Sequence, residues 1–469
     1  MEMLTLVWTK GDPGLGDWPP GSWEWHGGVM QATPAAHSLE QFRRAAYQTL
    51  GPRKDSLFEL MKAALVGSGP ATLVRLSLAP GFRRGWASAP DALAAGGVDA
   101  ERCRALVATT LLALPLEERP VWALDGTVWP RPAAVTSPAR TYGHRTSPGI
   151  PQSGVVPGWE YEWLVAVPEP QGSWVLPLDV RRRGPAEGTP TAVASALLET
   201  TLTRRPAAAL RPVVALDSGY DPVQLARARL AADLLVRVRS NRTFYRAPGP
   251  YPGRGAPRKY GAAFKLSEPT THGAPDRQAT QADPRYGQVR VAVWGGLRAK
   301  GAADVPFTLV RVQVQRLPRR VKPPAPLWLA WIGGALPADL LDLWRWYGDR
   351  FGAEHGFRFL KHALGWTTVR PAAPAAADRW TWLLVLALWQ LWLARALVAD
   401  QRLPWERPLP PTRLTPGRVR RALAGLLGRL DTPARAPKPR GKAPGRRLGQ
   451  CPGPRPRHPV ARRRPKRAA

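Results

Sequence analysis

The sequence predicts a mixed α/β fold, and three observations carry that prediction. Short apolar runs that read as buried strands recur at 121–125, 213–217, 233–239 and 327–332. Segments of helical period at 191–203 and 222–232 alternate with them, the order that builds a sheet with helical cover. Two of the runs are near copies, Val121-Trp122-Ala123-Leu124-Asp125 and Val213-Val214-Ala215-Leu216-Asp217. Each is expected to deliver a carboxylate at its end, with a glycine just beyond (Gly126, Gly219) to let the backbone turn. A lone aspartate at such a place more often caps a turn; two copies of one pattern point further.

Taken in order, residues 1–37 match no pattern and stay unassigned. Residues 38–116 carry helical period at 41–50, 56–66 and 99–112, with a Pro-Gly-rich loop between the second and third. This is an all-helical unit, which by itself could be a prop for the α/β core. Residues 117–240 form the first part of that core: the Asp125 strand, a strand pair at 161–167 and 174–180, a helix, the Asp217 strand, a helix and a last strand.

From 241 to 326 the pattern breaks. This stretch holds 16 Lys/Arg against four Asp/Glu, with turn-rich sequence and β-like runs at 289–293 and 307–314. It reads as a basic, β-rich insertion. Its single tryptophan is Trp294, for which a place in a small core is the plain reading.

Residues 327–430 complete the core with a strand, then a helix expected over 337–366. Here Tyr347, Arg350, Glu354 and Lys361 stand at the spacing Y-x2-R-x3-E-x6-K. At about 100° per residue the last three fall within roughly 60° of Tyr347, so all four share one helix face. On a strand Tyr347 and Lys361 would face away from the other two. The set is either a solvated face with i,i+4 ion pairs or a site holding a metal ion and a phosphate. Asp125, Asp217 and Glu354 together would supply hard oxygen ligands for divalent cations.

Asp125, Asp217 and Glu354, with Tyr347, Arg350 and Lys361 around the last, resemble the DDE triad and YREK signature of bacterial insertion-sequence transposases. Asp125-Gly126-Thr127-Val128-Trp129, Thr136-Ser137-Pro138, Tyr142-Gly143-His144 and Pro157-Gly158-Trp159 are similar to that family's first catalytic block. The resemblance spans 38–421. It implies a ribonuclease H-like core, two Mg²⁺ ions (Mn²⁺ able to substitute) on the three carboxylates, and phosphate contacts from Tyr347, Arg350 and Lys361. It further implies that the insertion touches DNA and that Trp294 could hold a flipped base. The expected activity is cleavage and strand transfer at the terminal inverted repeats of an insertion sequence, by a homodimer in the bacterial cytoplasm. A catalytically silent DNA-binding descendant and a metal-dependent nuclease of the same fold are the alternatives.

Composition agrees. A chain of 469 residues can build a substantial core, and a formal net charge of +34 points to a polyanionic partner. Abundant Ala, Pro, Gly and Arg also reflect compositional bias. The tail at 431–469 has no acidic residue after Asp431 and is expected to be disordered. Without it 55 basic residues still face 34 acidic ones. Two cysteines, Cys103 and Cys451, give neither a disulfide framework nor zinc spacing. Met1-Glu2-Met3 lacks the basic start and apolar run of a signal peptide. The apolar stretch 380–399 approaches membrane-spanning length, but Gln390 and Arg395 interrupt it, and a buried core helix is the better reading.

Overall fold

The computed structural model describes residues 23–461 apart from 27–28, 33, 68, 70, 115–118, 146–153, 171, 252, 319–323, 440–444, 446 and 452. Most of the unassigned 1–37 stretch and the end of the tail, 462–469, therefore lie outside the described residues. In chain order, strands β1 (Trp23–His26) and β2 (Val29–Ala32) precede helices α1 (Pro34–Gln48), α2 (Lys54–Val66), α3 (Leu73–Ser77), α4 (Ser88–Ala95) and α5 (Ala100–Leu112). Then come β3 (Val121–Pro130), β4 (Thr141–Arg145), β5 (Gly154–Ala166), β6 (Leu176–Arg183), α6 (Pro190–Leu202), β7 (Val213–Leu216), α7 (Pro222–Arg227) and β8 (Asp233–Val238). The basic stretch holds β9 (Thr243–Tyr245), β10 (Ala263–Lys265), β11 (Arg277–Asp283), β12 (Gly287–Ala299) and β13 (Ala302–Val314). The chain closes with β14 (Leu327–Ile332), α8 (Leu341–Asp349), α9 (Phe351–Arg358), α10 (Pro374–Ala394) and α11 (Pro416–Arg429).

The chain divides into two compact units, the first comprising 1–114, 127–161 and 355–469, the second 115–126 and 162–354. In the first, α1, α2, α4, α5 and α11 pack around α10. Helix α10 is apolar on every side, the mark of a buried helix. By length and composition Pro374–Leu397 could cross a membrane, but 83% of that apolar window is buried inside the protein. Its one mid-helix amide, Gln390, accepts from the buried Arg43 guanidinium at 2.8 Å, while Phe42 stacks on Trp389. Arg379 donates to the Leu93 carbonyl, closing the bottom of α4 onto α10. The loop expected between 66 and 99 contains the two short helices α3 and α4; their few residues give too short a period to read.

Part of the basic tail is placed, which departs from the expectation of disorder. Arg435 N–H donates to Asp55 Oδ1 at 3.0 Å, and Ala434 is buried. Further on, His458 N–H donates to the Val135 carbonyl and Ala461 N–H to that of Arg140. Backbone hydrogen bonds, which composition does not reveal, hold these residues.

The second unit is built on one sheet. Strands β3, β7 and β8 are parallel, and β14, β13 and β12 continue it antiparallel, so the order runs β9-β12-β13-β14-β8-β7-β3-β5, with β6 on β5. The strands of the basic stretch are thus part of the same sheet as the two aspartate strands. Val213, Ala215, Leu235, Val291, Val310 and Leu329 form the core on which Leu340, Leu343 and Tyr347 pack. Buried Asp233 ties down the approach to α8: it pairs with Arg119 and Arg211 and accepts from Gly334 N–H at 2.7 Å.

Three boundaries differ from expectation. Helix α7 stops at Arg227, because Arg229 takes a left-handed φ of 48°. The helix expected from 337 begins at Leu341, whose N–H is capped by the Asp339 carboxylate at 2.9 Å. It is interrupted at Arg350 and passes into a π turn over Phe359–Ala363.

Candidate active site

The two copies of the apolar-run motif lie side by side. Val121, Trp122, Ala123 and Leu124 pair in parallel register with Val213, Val214, Ala215 and Leu216. Asp125 and Asp217 come next after the same paired position, so alternation along the strands presents them toward one side. Strand β7 ends at Leu216, and Asp217 Oδ1 accepts from Gly219 N–H at 2.8 Å in the adjoining turn. Strand β3 does not turn at Gly126, contrary to expectation; it runs on to Pro130. Gly126 serves close approach instead, since a Cβ there would lie 2.9 Å from Glu162 Oε2.

Helix α8 and the start of α9 bring Tyr347, Arg350 and Glu354 to the same unit. Arg350 is buried, with Nη1 donating to Asp125 Oδ2 at 3.1 Å and Nη2 at 3.6 Å from Glu354 Oε1. Its guanidinium also lies over the rings of Tyr347 and Phe351. Burial raises the Asp125 pKa to about 6; Arg350 offsets this, while Asp217 and Glu354 add to it. Asp125 therefore feels both other carboxylates. Burial opposes the Arg350 charge, yet Tyr347, Asp125, Asp217 and Glu354 outweigh it and its pKa rises. Burial likewise raises the Tyr347 phenol.

The donor set is one that suits a divalent cation: hard carboxylate oxygens, one of which burial, with smaller help from the other two, already drives toward protonation. Their present disposition is another matter. Among the described residues no three acidic, histidine or cysteine side chains are gathered closely enough to ligate one ion, and Arg350 is the cation that Asp125 and Glu354 share.

Lys361 belongs to the first unit. Its Nζ donates to Thr127 Oγ1 at 2.6 Å, two residues beyond Asp125 in β3. Trp294, the candidate for base stacking, is buried among Phe264, His272 and Trp328, under the Arg311 guanidinium. Its indole donates to the Gly273 carbonyl. In this arrangement it is a core residue of the small-core kind.

Residues that motif reasoning passed over complete the site. Tyr220 hydroxyl donates to buried Glu162 at 2.6 Å, and Arg183 lies 3.5 Å from the same carboxylate. The Tyr220 pKa stands well above its ordinary value through burial, then through Glu162, Asp125 and Asp217. One of two glutamates, Glu160 and Glu162, in the aromatic-rich run Trp159 to Val165 was this polar group's signal in the sequence.

The profile of the DDE superfamily endonucleases matches residues 45–300, which include both aspartate strands and most of the basic stretch. No curated protein matches the chain. With more than half of its length covered and two in-register aspartates at its centre, the chain belongs to the DDE superfamily endonuclease family.

Proposed function

We propose that this endonuclease is a transposase of the YREK-signature group, cutting and rejoining DNA at the ends of an insertion sequence. The observation that carries the reading is the pairing of Arg350 with both Asp125 and Glu354 beside the in-register Asp217 strand. A signature glutamate remote in sequence thereby shares one guanidinium with Asp125, which supports a site drawing on all three carboxylates.

In this reading Asp125, Asp217 and Glu354 hold Mg²⁺, as two ions, with Mn²⁺ able to substitute. When bound, the metal supplies activation of water or a 3′-hydroxyl and stabilisation of the departing oxygen. The remaining work is positioning. Arg350 and Lys361 fix phosphate oxygens, and Tyr347 holds the guanidinium of Arg350 through its ring and donates toward a phosphate. The basic stretch contacts terminal-repeat DNA chiefly through phosphates. A cleft of about 440 Å³ lined by Arg227, Arg258, Lys259, Tyr260 and Arg298 supports that contact. Two ends must be joined, so a homodimer on DNA in the bacterial cytoplasm is the working form.

Glu354→Gln tests the reading, because it removes a ligand and keeps the shape. Binding to terminal-repeat DNA is expected to persist while Mg²⁺-dependent cleavage disappears. Cleavage retained in this variant would sink the assignment.

A further inference from the structure

We infer that Arg350 is a resident counter-ion of the carboxylate site, and that a divalent cation binds by exchanging with it. The inference rests on the assignment of Asp125, Asp217 and Glu354 as metal ligands. Its basis is the position of one buried guanidinium, which reaches Asp125 Oδ2 with Nη1 and Glu354 Oε1 with Nη2.

Asp125 is largely buried beside Asp217 and near the exposed Glu354, and carboxylates brought close together need positive charge between them. Arg350 provides it, and its own burial is tolerated because Tyr347 and Phe351 cover the guanidinium faces. A lysine in this place would offer a point charge; the arginine fork spans two acceptors with two different nitrogens. The oxygens it occupies are oxygens a metal needs. Arg350 and the metal therefore compete for Asp125 and Glu354, and arrival of the metal frees the guanidinium.

Release asks for movement of the side chain alone. Arg350 is the residue between α8 and α9 and keeps helical backbone angles, φ −51° and ψ −31°. Its Nε has no partner among the described residues and no tie there holds the side chain in place. A freed guanidinium next to a filled metal site is a bidentate receptor for a phosphodiester. Metal binding and phosphate capture are thereby coupled through a single residue, with the phosphate taking over from the two carboxylates.

The test is the affinity of the full-length protein for Mn²⁺, measured by calorimetric titration without DNA, in wild type, Asp125→Asn, Arg350→Gln and Arg350→Lys. Asp125→Asn is expected to abolish binding at the site. Arg350→Gln is expected to bind Mn²⁺ about tenfold more tightly than wild type, a coupling of ordinary size between competing ligands. Arg350→Lys keeps the charge but reaches one carboxylate only, so it should also tighten binding, by less, and it guards against Arg350→Gln failing to fold. Without metal both variants should melt below wild type, and Mn²⁺ should raise their midpoints more than it raises that of wild type. A folded Arg350 variant with unchanged or weaker Mn²⁺ affinity overturns the exchange while leaving the ligand assignment intact. Wild-type binding that is indifferent to Asp125→Asn overturns the ligand assignment and the exchange with it.

Discussion

The Tyr220 hydroxyl donates to Glu162 at 2.6 Å in a fully buried pair, and the same glutamate faces the bare Cα of Gly126 one residue from Asp125. One carboxylate thus governs the turn after Asp217 and the strand that carries Asp125. Tyr220→Phe removes this donor from a buried carboxylate. It should lower unfolding free energy by about 1–3 kcal/mol in urea titrations. Gly126→Ala should be at least as damaging, since its methyl would meet Glu162 Oε2 and the neighbouring strands allow little movement.

Asp125 sets a pH dependence whose sign is opposite to that of a salt-bridged surface aspartate. Its folded pKa of about 6 exceeds the ordinary carboxylate value, so the folded state binds its proton more tightly than the unfolded chain does. The resulting stability is complete below about pH 4 and is lost as pH rises through 6. Metal-free wild type compared with Asp125→Asn between pH 4 and 7 should therefore lose ground with rising pH, by about 3 kcal/mol across the window. A relative gain over that range would contradict the burial and repulsion assigned to this group.

The Lys361 ammonium donates to the Thr127 hydroxyl at 2.6 Å, and the proposed function gives it a phosphate to hold. Lys361→Met should preserve the circular dichroism spectrum and lower single-turnover DNA cleavage about 100-fold, the cost of a misplaced phosphate. Wild-type cleavage in that variant would reduce Lys361 to a strand tether.

In the helical unit the stability hinges on a polar pair inside an apolar helix bundle. Gln390 Oε1 is the acceptor for buried Arg43, whose burial depresses its pKa to about 10. Gln390→Leu keeps the volume but strands the guanidinium, and should cost about 3 kcal/mol in chemical denaturation. Arg43→Met with Gln390→Leu should recover much of that loss.

Much of this arrangement was legible because it depends on patterns that repeat. The near-identical runs ending in Asp125 and Asp217 turned out to be neighbours in register, and the 327–332 run is a strand at those limits. At the Y-x2-R-x3-E spacing the Arg350 guanidinium lies over the Tyr347 ring and 3.6 Å from Glu354 Oε1. What stayed hidden depends on single contacts. Gly126 reads as a turn signal, but the remote Glu162 is the reason for it, and no local rule links the two. Nor does a basic composition disclose that β12 and β13 share the sheet of the aspartate strands, because strand partners are chosen across long separations. Trp294 looks the same in sequence whether it waits for a base or fills a core.

The central claim is tested most directly by incubating the purified protein with a DNA fragment carrying the terminal repeats that flank its own genomic copy. Wild type and Asp125→Ala are compared, each with Mg²⁺ and with EDTA. Nicking at the repeat end is expected for wild type with Mg²⁺ alone. Cleavage that survives EDTA and the loss of Asp125, or that ignores the repeats, would contradict a carboxylate-centred transposase.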